Sequence, residues 1–177
     1  MNNNITLNTV TITNGAIKEF YEFCQQGTNS NQGINPTFSL CLVANEMLLR
    51  ESYDKICGML YDQSKDKDVQ EYYKLHNELV FKFADRDNNG EIIKEQNGNP
   101  KITEMLVEFE NESNALDKKY EEAIKKRDEG FEKNNQVLAT ASTLKVFNCE
   151  LEQIPSNLPP RLVSYFASNV IKELFNK

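Results

Sequence analysis

The sequence predicts an α+β fold that is predominantly helical, with long antiparallel helices beside a small mixed or antiparallel β-sheet. Three observations predict it. Apolar residues recur at intervals of three or four through most of the 177 positions. Two segments, one near the start and one near residue 145, are β-prone instead. The seven glycines and five prolines fall almost entirely at the joints between these stretches, so the local signals agree with one another.

Ile5 to Thr13 alternates apolar and polar residues and is rich in β-branched types, the pattern of a strand with one buried face. Thr13 or Asn14 then caps a helix whose apolar stripe is Ile17, Phe20, Tyr21 and Cys24. Residues 26–35 read as a polar loop. Asn35-Pro36 opens the next helix, because proline at the first helical position gives up only an N–H that has no intrahelical partner. Its stripe is Phe38, Leu42, Asn45, Leu49, Tyr53, Ile56 and Leu60. After the charged break at 63–68, Val69, Tyr72, His76, Leu79 and Phe83 mark a further helix. The spacing leaves open whether 36–84 is a hairpin or one interrupted helix.

Asp87-Asn88-Asn89-Gly90 and Asn97-Gly98-Asn99-Pro100 are turn signals that frame a β-hairpin over 91–103. Helical periodicity returns with Met105, Phe109, Leu116, Tyr120, Ala123 and Ile124, and is expected to end near Gly130 or a few residues beyond. Residues 137–151 are β-prone, most clearly from Thr143 to Cys149. A turn at 156–160 launches a last helix with Leu162, Tyr165, Phe166, Val170, Ile171 and Leu174. The sheet is expected to combine 5–13, the hairpin arms and 143–149. The whole, 1–177, is expected to form a single α+β domain with a protruding helical hairpin around 36–84 and 103–133.

Composition narrows the function. With 39% hydrophobic residues the chain has the material for a core. A net charge of −7 disfavours direct nucleic-acid binding, which calls for a basic surface. No apolar run approaches the roughly 18 residues of a membrane span. Residues 1–4 lack a signal-peptide pattern, so a cytoplasmic location is expected. Cys24, Cys41, Cys57 and Cys149 lack the paired short spacing of a zinc site and read as buried free thiols.

The sharpest motif is Asp85-x-Asp87-x-Asn89-Gly90, which matches most of an EF-hand calcium loop. Gln96 stands where bidentate coordination needs glutamate, and the following Asn-Gly-Asn-Pro cannot be helical. Asp85, Asp87 and Asn89 are therefore a weak calcium candidate, and no metal or other cofactor is expected. His76, the single histidine, lies on an apolar helical stripe and reads as a core or boundary residue. No nucleophile elbow, Walker A loop or dinucleotide loop is present, so the chain reads as non-enzymatic. Glu104, Glu108 and Glu112 share one helical face. They form a candidate interaction strip for a partner with a basic surface.

Four blocks carry a resemblance: Thr11-Ile12-Thr13-Asn14-Gly15-Ala16-Ile17; Asn35-Pro36-Thr37-Phe38-Ser39-Leu40; the double turn from Asp87 through Ile102; and Leu144-Lys145-Val146 through Pro155 with the final helix. Together they resemble a family of small, uncharacterised phage and prophage proteins of low-GC bacteria, a domain of unknown function. The loop at 26–35 and the insert at 64–68 are longer here than in that family. The resemblance implies a phage-encoded factor in the host cytoplasm, or one associated with the virion, that binds a host or phage protein. Its first reading is an anti-CRISPR-like inhibitor of host defence. The alternatives are a tail or head morphogenesis protein and a small-ligand-binding protein, with homo-oligomerisation left open.

Overall fold

In the computed structural model, which describes residues 5–29 and 35–167, the chain divides into two compact units: residues 1–60 with 134–177, and residues 61–133. The elements run β1 (Thr6–Thr13), α1 (Asn14–Asn29), α2 (Pro36–Met59), α3 (Lys67–Phe83), α4 (Leu106–Lys119), α5 (Glu121–Ala139), β2 (Ala141–Asn148) and α6 (Pro160–Phe166). The fold is α+β and predominantly helical, as the periodicity indicates.

The first unit is organised around a two-stranded antiparallel sheet in which Thr6 faces Asn148 and Thr13 faces Ala141. Along β1 the half-buried positions are Asn8, Val10 and Ile12, the period-two pattern of a strand with one covered face. The Thr13 hydroxyl caps α1 by accepting the Ala16 N–H at 3.2 Å. Asn14 is buried and works in both directions. Its amide donates to Val137 O at 2.9 Å, and its carbonyl accepts from the Ser142 hydroxyl at 2.9 Å. The start of α1 is thereby tied to the end of α5 and to β2.

Ile17, Phe20, Tyr21 and Cys24 of α1 are buried, as are Phe38, Cys41, Leu42, Asn45, Leu49 and Ile56 of α2. The α2 start forms as its sequence dictates: Asn35 Oδ1 accepts the Thr37 N–H at 2.9 Å, with Pro36 in the first turn. Phe166 of α6 closes the core. Its ring meets those of Phe20 and Phe38 edge-on at 4.9 Å each, within the 4.5–7 Å range of favourable aromatic pairs.

Asn45 decides how α2 meets the sheet. It is fully buried in a helix interior, and its carboxamide forms two hydrogen bonds with one residue of β2. Asn45 Nδ2 donates to Phe147 O at 2.8 Å, and Phe147 N–H donates to Asn45 Oδ1 at 2.8 Å. The side-chain amide thus occupies the place of a third strand. It satisfies the Phe147 N–H at the sheet edge and shares the Phe147 carbonyl with the Cys41 thiol.

Several expectations are corrected. Residues 26–29 are helical, because α1 continues to Asn29 where it packs on α2; a Cβ at Gly27 would stand 2.8 Å from Leu42 Cδ1, so this glycine serves helix contact. Residues 36–84 hold two helices, since the backbone turns extended at Leu60 and the ladder of α2 stops there. The segment from 103 onward is broken at Tyr120 into α4 and α5, and α5 runs past Gly130 to Ala139. Gly130 lies directly against the ring of Tyr61, where any side chain would collide, and so marks a close approach and not a helix end. The expected hairpin arms do not join the sheet, which has two strands among the described residues. Of the expected last helix, Val170, Ile171 and Leu174 lie outside the described residues.

Replacing Asn45 by leucine is expected to destabilise the protein by roughly 1–3 kcal/mol, because it orphans the Phe147 N–H and leaves the Phe147 carbonyl only the weak Cys41 S–H. Asn45→Asp is expected to fare no better, since a carboxylate has no hydrogen to give Phe147 O. Urea unfolding followed by circular dichroism measures both; wild-type stability in Asn45→Leu would contradict this account.

Candidate functional site

In the second unit α3 and α4 run antiparallel. Going along α3, Tyr72 meets Asp117 and Tyr120, Lys82 meets Glu112, and Phe83 meets Phe109. Asp66 caps α3 by accepting the N–H groups of Asp68 and Val69 and is ion-paired with Lys126 at 2.6 Å. These bonds hold its carboxyl below the usual carboxylate range, the Lys126 bond contributing most. Val69 and Phe83 are buried, and Tyr72, His76 and Leu79 half-buried, as the stripe on α3 indicates.

Between α3 and α4 the sequence builds a small closed device. Ile93 N–H donates to Asp85 O at 2.9 Å, Lys101 N–H to Ile93 O at 2.8 Å, and Asp85 N–H to Lys101 O at 2.8 Å. Three residues spaced eight apart thus form a ring of backbone hydrogen bonds. The two connecting turns repeat one pattern. Gly90 and Gly98, with φ of 82° and 86°, occupy the left-handed region that favours glycine. Gly90 N–H donates to Asp87 O and, eight residues later, Gly98 N–H donates to Glu95 O, at 2.9 Å each; Asp87 N–H donates to Glu91 O at 2.9 Å and Glu95 N–H to Asn99 O at 2.8 Å. Asp85-Arg86-Asp87-Asn88-Asn89-Gly90-Glu91-Ile92 and Ile93-Lys94-Glu95-Gln96-Asn97-Gly98-Asn99-Pro100 are therefore an internal repeat. Its trace in the sequence is the offset of eight between the two Asn-Gly pairs, with Arg86 matched by Lys94 and Asp87 by Glu95.

This device explains where the calcium candidates lie. Asp85 is buried and its carboxylate points at the start of α4. It accepts the Thr103 N–H at 3.0 Å, the Glu104 N–H at 3.2 Å and the Thr103 hydroxyl. Asp87 closes its own turn through the Asn89 and Glu91 N–H groups. Asp85, Asp87 and Asn89 are engaged in local backbone bonding, and among the described residues no three His, Cys, Asp or Glu side chains gather as a metal-holding group.

The acidic strip is divided. Glu104 lies in the cap closed by Asp85, Glu108 is exposed in the first turn of α4, and Glu112 is held by Lys82, whose Nζ is 2.7 Å from both carboxylate oxygens. His76 lies between the rings of Tyr72 and Phe109, at 5.9 and 6.3 Å. It belongs to the second unit, whereas the four cysteines belong to the first.

The outer face of the α3–α4 pair carries a groove of about 470 Å³. Leu75, Leu79, Ala115 and Leu116 floor it, and Glu78, Lys82, Glu112 and Lys119 stand at its rim. Helical spacing produces this: 75, 79 and 82 share a face of α3, and 112, 115, 116 and 119 share a face of α4. The small side chain of Ala115 leaves the floor open. Past the Lys82–Glu112 end, Phe81, Met105, Leu106 and Val107 are all exposed, Val107 to 66%. Sequence reasoning named Leu79 and Leu116 as stripe residues but missed Leu75 and Ala115, whose role depends on how the two helices are registered. Compared with protein-family models, with curated proteins and with solved structures, the chain matches none.

The Asp85 cap makes the second unit sensitive to acid. Its hydrogen bonds, the Thr103 hydroxyl first, hold the Asp85 carboxyl below its ordinary value, while burial opposes them. A carboxyl depressed on folding contributes stability above its unfolded pKa and loses it as pH falls through the folded one. Hydrogen exchange at the Thr103 and Glu104 amides is expected to quicken below the ordinary carboxylate range. In Asp85→Asn it should be fast throughout, with that pH step absent.

Proposed function

We propose that this chain is a non-enzymatic protein-binding factor whose second unit takes an amphipathic helix of a partner protein into the α3–α4 groove. The groove itself carries the reading: an apolar floor of leucines and alanine between rims that each present one glutamate and one lysine. Laying a third helix there completes a three-helix arrangement, the usual way for two exposed antiparallel helices to cover an apolar seam. Mixed charge on the rim suits a helix whose apolar stripe is flanked by residues of both signs. Exposed Phe81, Met105, Leu106 and Val107 extend the apolar contact past one end.

The net charge of −7 acts at longer range, favouring approach of a protein that is basic overall. Among the described residues no helix is long and apolar enough to cross a membrane. In the phage setting that the resemblance implies, a basic partner with nucleic-acid-binding surfaces is a host defence nuclease. A virion protein is the alternative outcome.

A photo-crosslinker placed at Leu79 is expected to capture a helical segment of the partner from host lysate, while one at exposed Lys145 of β2 captures none. With that partner purified, Leu79→Glu and Leu116→Lys should each weaken binding at least about tenfold, with unchanged circular dichroism. Unchanged affinity in both folded variants would overturn the reading, and capture of a virion protein in place of a nuclease would move the chain to particle assembly.

A further inference from the structure

The sheet of the first unit has one edge covered and one edge open. Phe147 turns both of its backbone groups toward Asn45, away from β1. Antiparallel pairing alternates along a ladder, so Leu7, which faces Phe147, turns its own N–H and C=O away from β2, and Thr9 and Thr11 do the same. Two further contacts fix this phase. Asn14 N–H donates to Thr140 O at 2.8 Å, which places the bonded pairs at the even positions of β1. The Thr11 and Thr143 hydroxyls meet at 2.9 Å, as the closer, non-hydrogen-bonded pairs allow. The outward backbone groups of Leu7, Thr9 and Thr11 have no partner among the described residues.

Edge strands are normally guarded by a lysine, a proline, a bulge or short length. β1 has none of these guards. It runs for 8 residues in unbroken one-to-one register with β2 and contains no charge, proline or glycine. The neutral stretch is longer than the strand: the first charged side chain in the sequence is Lys18, although charged residues make up 27% of the chain. The side chains of Leu7, Thr9 and Thr11 are exposed on one face.

We propose that this edge pairs with the β1 edge of a second copy of the chain, antiparallel about a two-fold axis through Thr9, to give a four-stranded sheet in the order β2–β1–β1–β2. In that register Thr9 faces the second copy's Thr9, and Leu7 faces the second copy's Thr11. The outward groups of all three residues are then bonded. Charge selects a second copy as the occupant. At −7 each, two copies repel over most of their surface, and a strand without charged side chains is the part least subject to that repulsion. The same strand offers a basic partner no carboxylate to pair with. On the exposed face threonine meets threonine, the contact that Thr11 already makes with Thr143. The assembly stops at two, because Asn45 of α2 occupies the far edge of β2 at Phe147.

Sedimentation equilibrium and hydrogen exchange of the full-length protein, from roughly 1 μM to 1 mM, test this. A dimer is expected. Amide protection of Leu7, Thr9 and Thr11 should rise as it forms, while Asn8 and Val10, bonded to β2, stay protected at every concentration. Thr9→Pro removes the central outward N–H, which an edge strand of the monomer can spare, and is expected to weaken dimerisation at least about tenfold with unchanged circular dichroism. Thr9→Lys sets two ammonium groups face to face and is expected to do the same, so the proposal stays testable if the proline variant fails to fold. A monomer throughout would overturn it. So would protection of the three amides that does not vary with concentration, or a dimer of unchanged affinity in a folded variant.

Discussion

Much of the first unit depends on one side chain standing in for a strand. A two-stranded sheet leaves β2 with an edge of unpaired backbone groups, and that edge lies under α2, where water cannot satisfy them. Asn45 meets both needs of Phe147 with one carboxamide. The geometry fixes the depth and rotation of α2 over the sheet, because a rotation of the helix would break both bonds at once. The positions of Phe38, Leu42 and Leu49 in the core follow from that rotation, and the place where Phe166 enters follows from theirs.

The second unit solves a different problem with similar means. It has few fully buried apolar residues, so backbone hydrogen bonds and caps do more of the positioning. The ring through Asp85, Ile93 and Lys101 draws the end of α3 and the start of α4 together, and the Asp85 carboxylate holds the Thr103–Glu104 backbone that leads into α4. With those ends fixed, α3 and α4 lie antiparallel and their outer faces meet as a groove. The Lys82–Glu112 pair closes one end of it. Both side chains are about half exposed, so the pair adds on the order of 0–1 kcal/mol and contributes mainly to register.

The two units handle polarity in opposite ways. In the first, polar groups such as Asn14 and Asn45 are buried and fully engaged, which makes the unit specific in its packing. In the second, charges line the edges of an apolar surface that remains open. That division leaves the open apolar surface on the second unit and the fully engaged buried polar groups within the first.

Local pattern reached far here because helices and strands report their own periods. The stripes on α1, α2 and α3, the strand at 6–13, the Asn35-Pro36 start and the glycine turns were all readable from residue type and spacing. A period says which residues share a face, but not what the face meets. Asn45 therefore read as one more stripe position, Gly130 as lying near a helix end and Asp85 as part of a turn with a weak likeness to a calcium loop. Each of these is decided by a residue distant in sequence: Phe147, Tyr61 and Thr103. By itself the sequence determined the fold class, most element positions and the acidic charge. Only the tertiary structure decided the sheet membership, the eight-residue repeat and its ring, the groove and the meeting of Asn45 with Phe147. Those features arise from the registration of elements far apart along the chain, which no local period encodes.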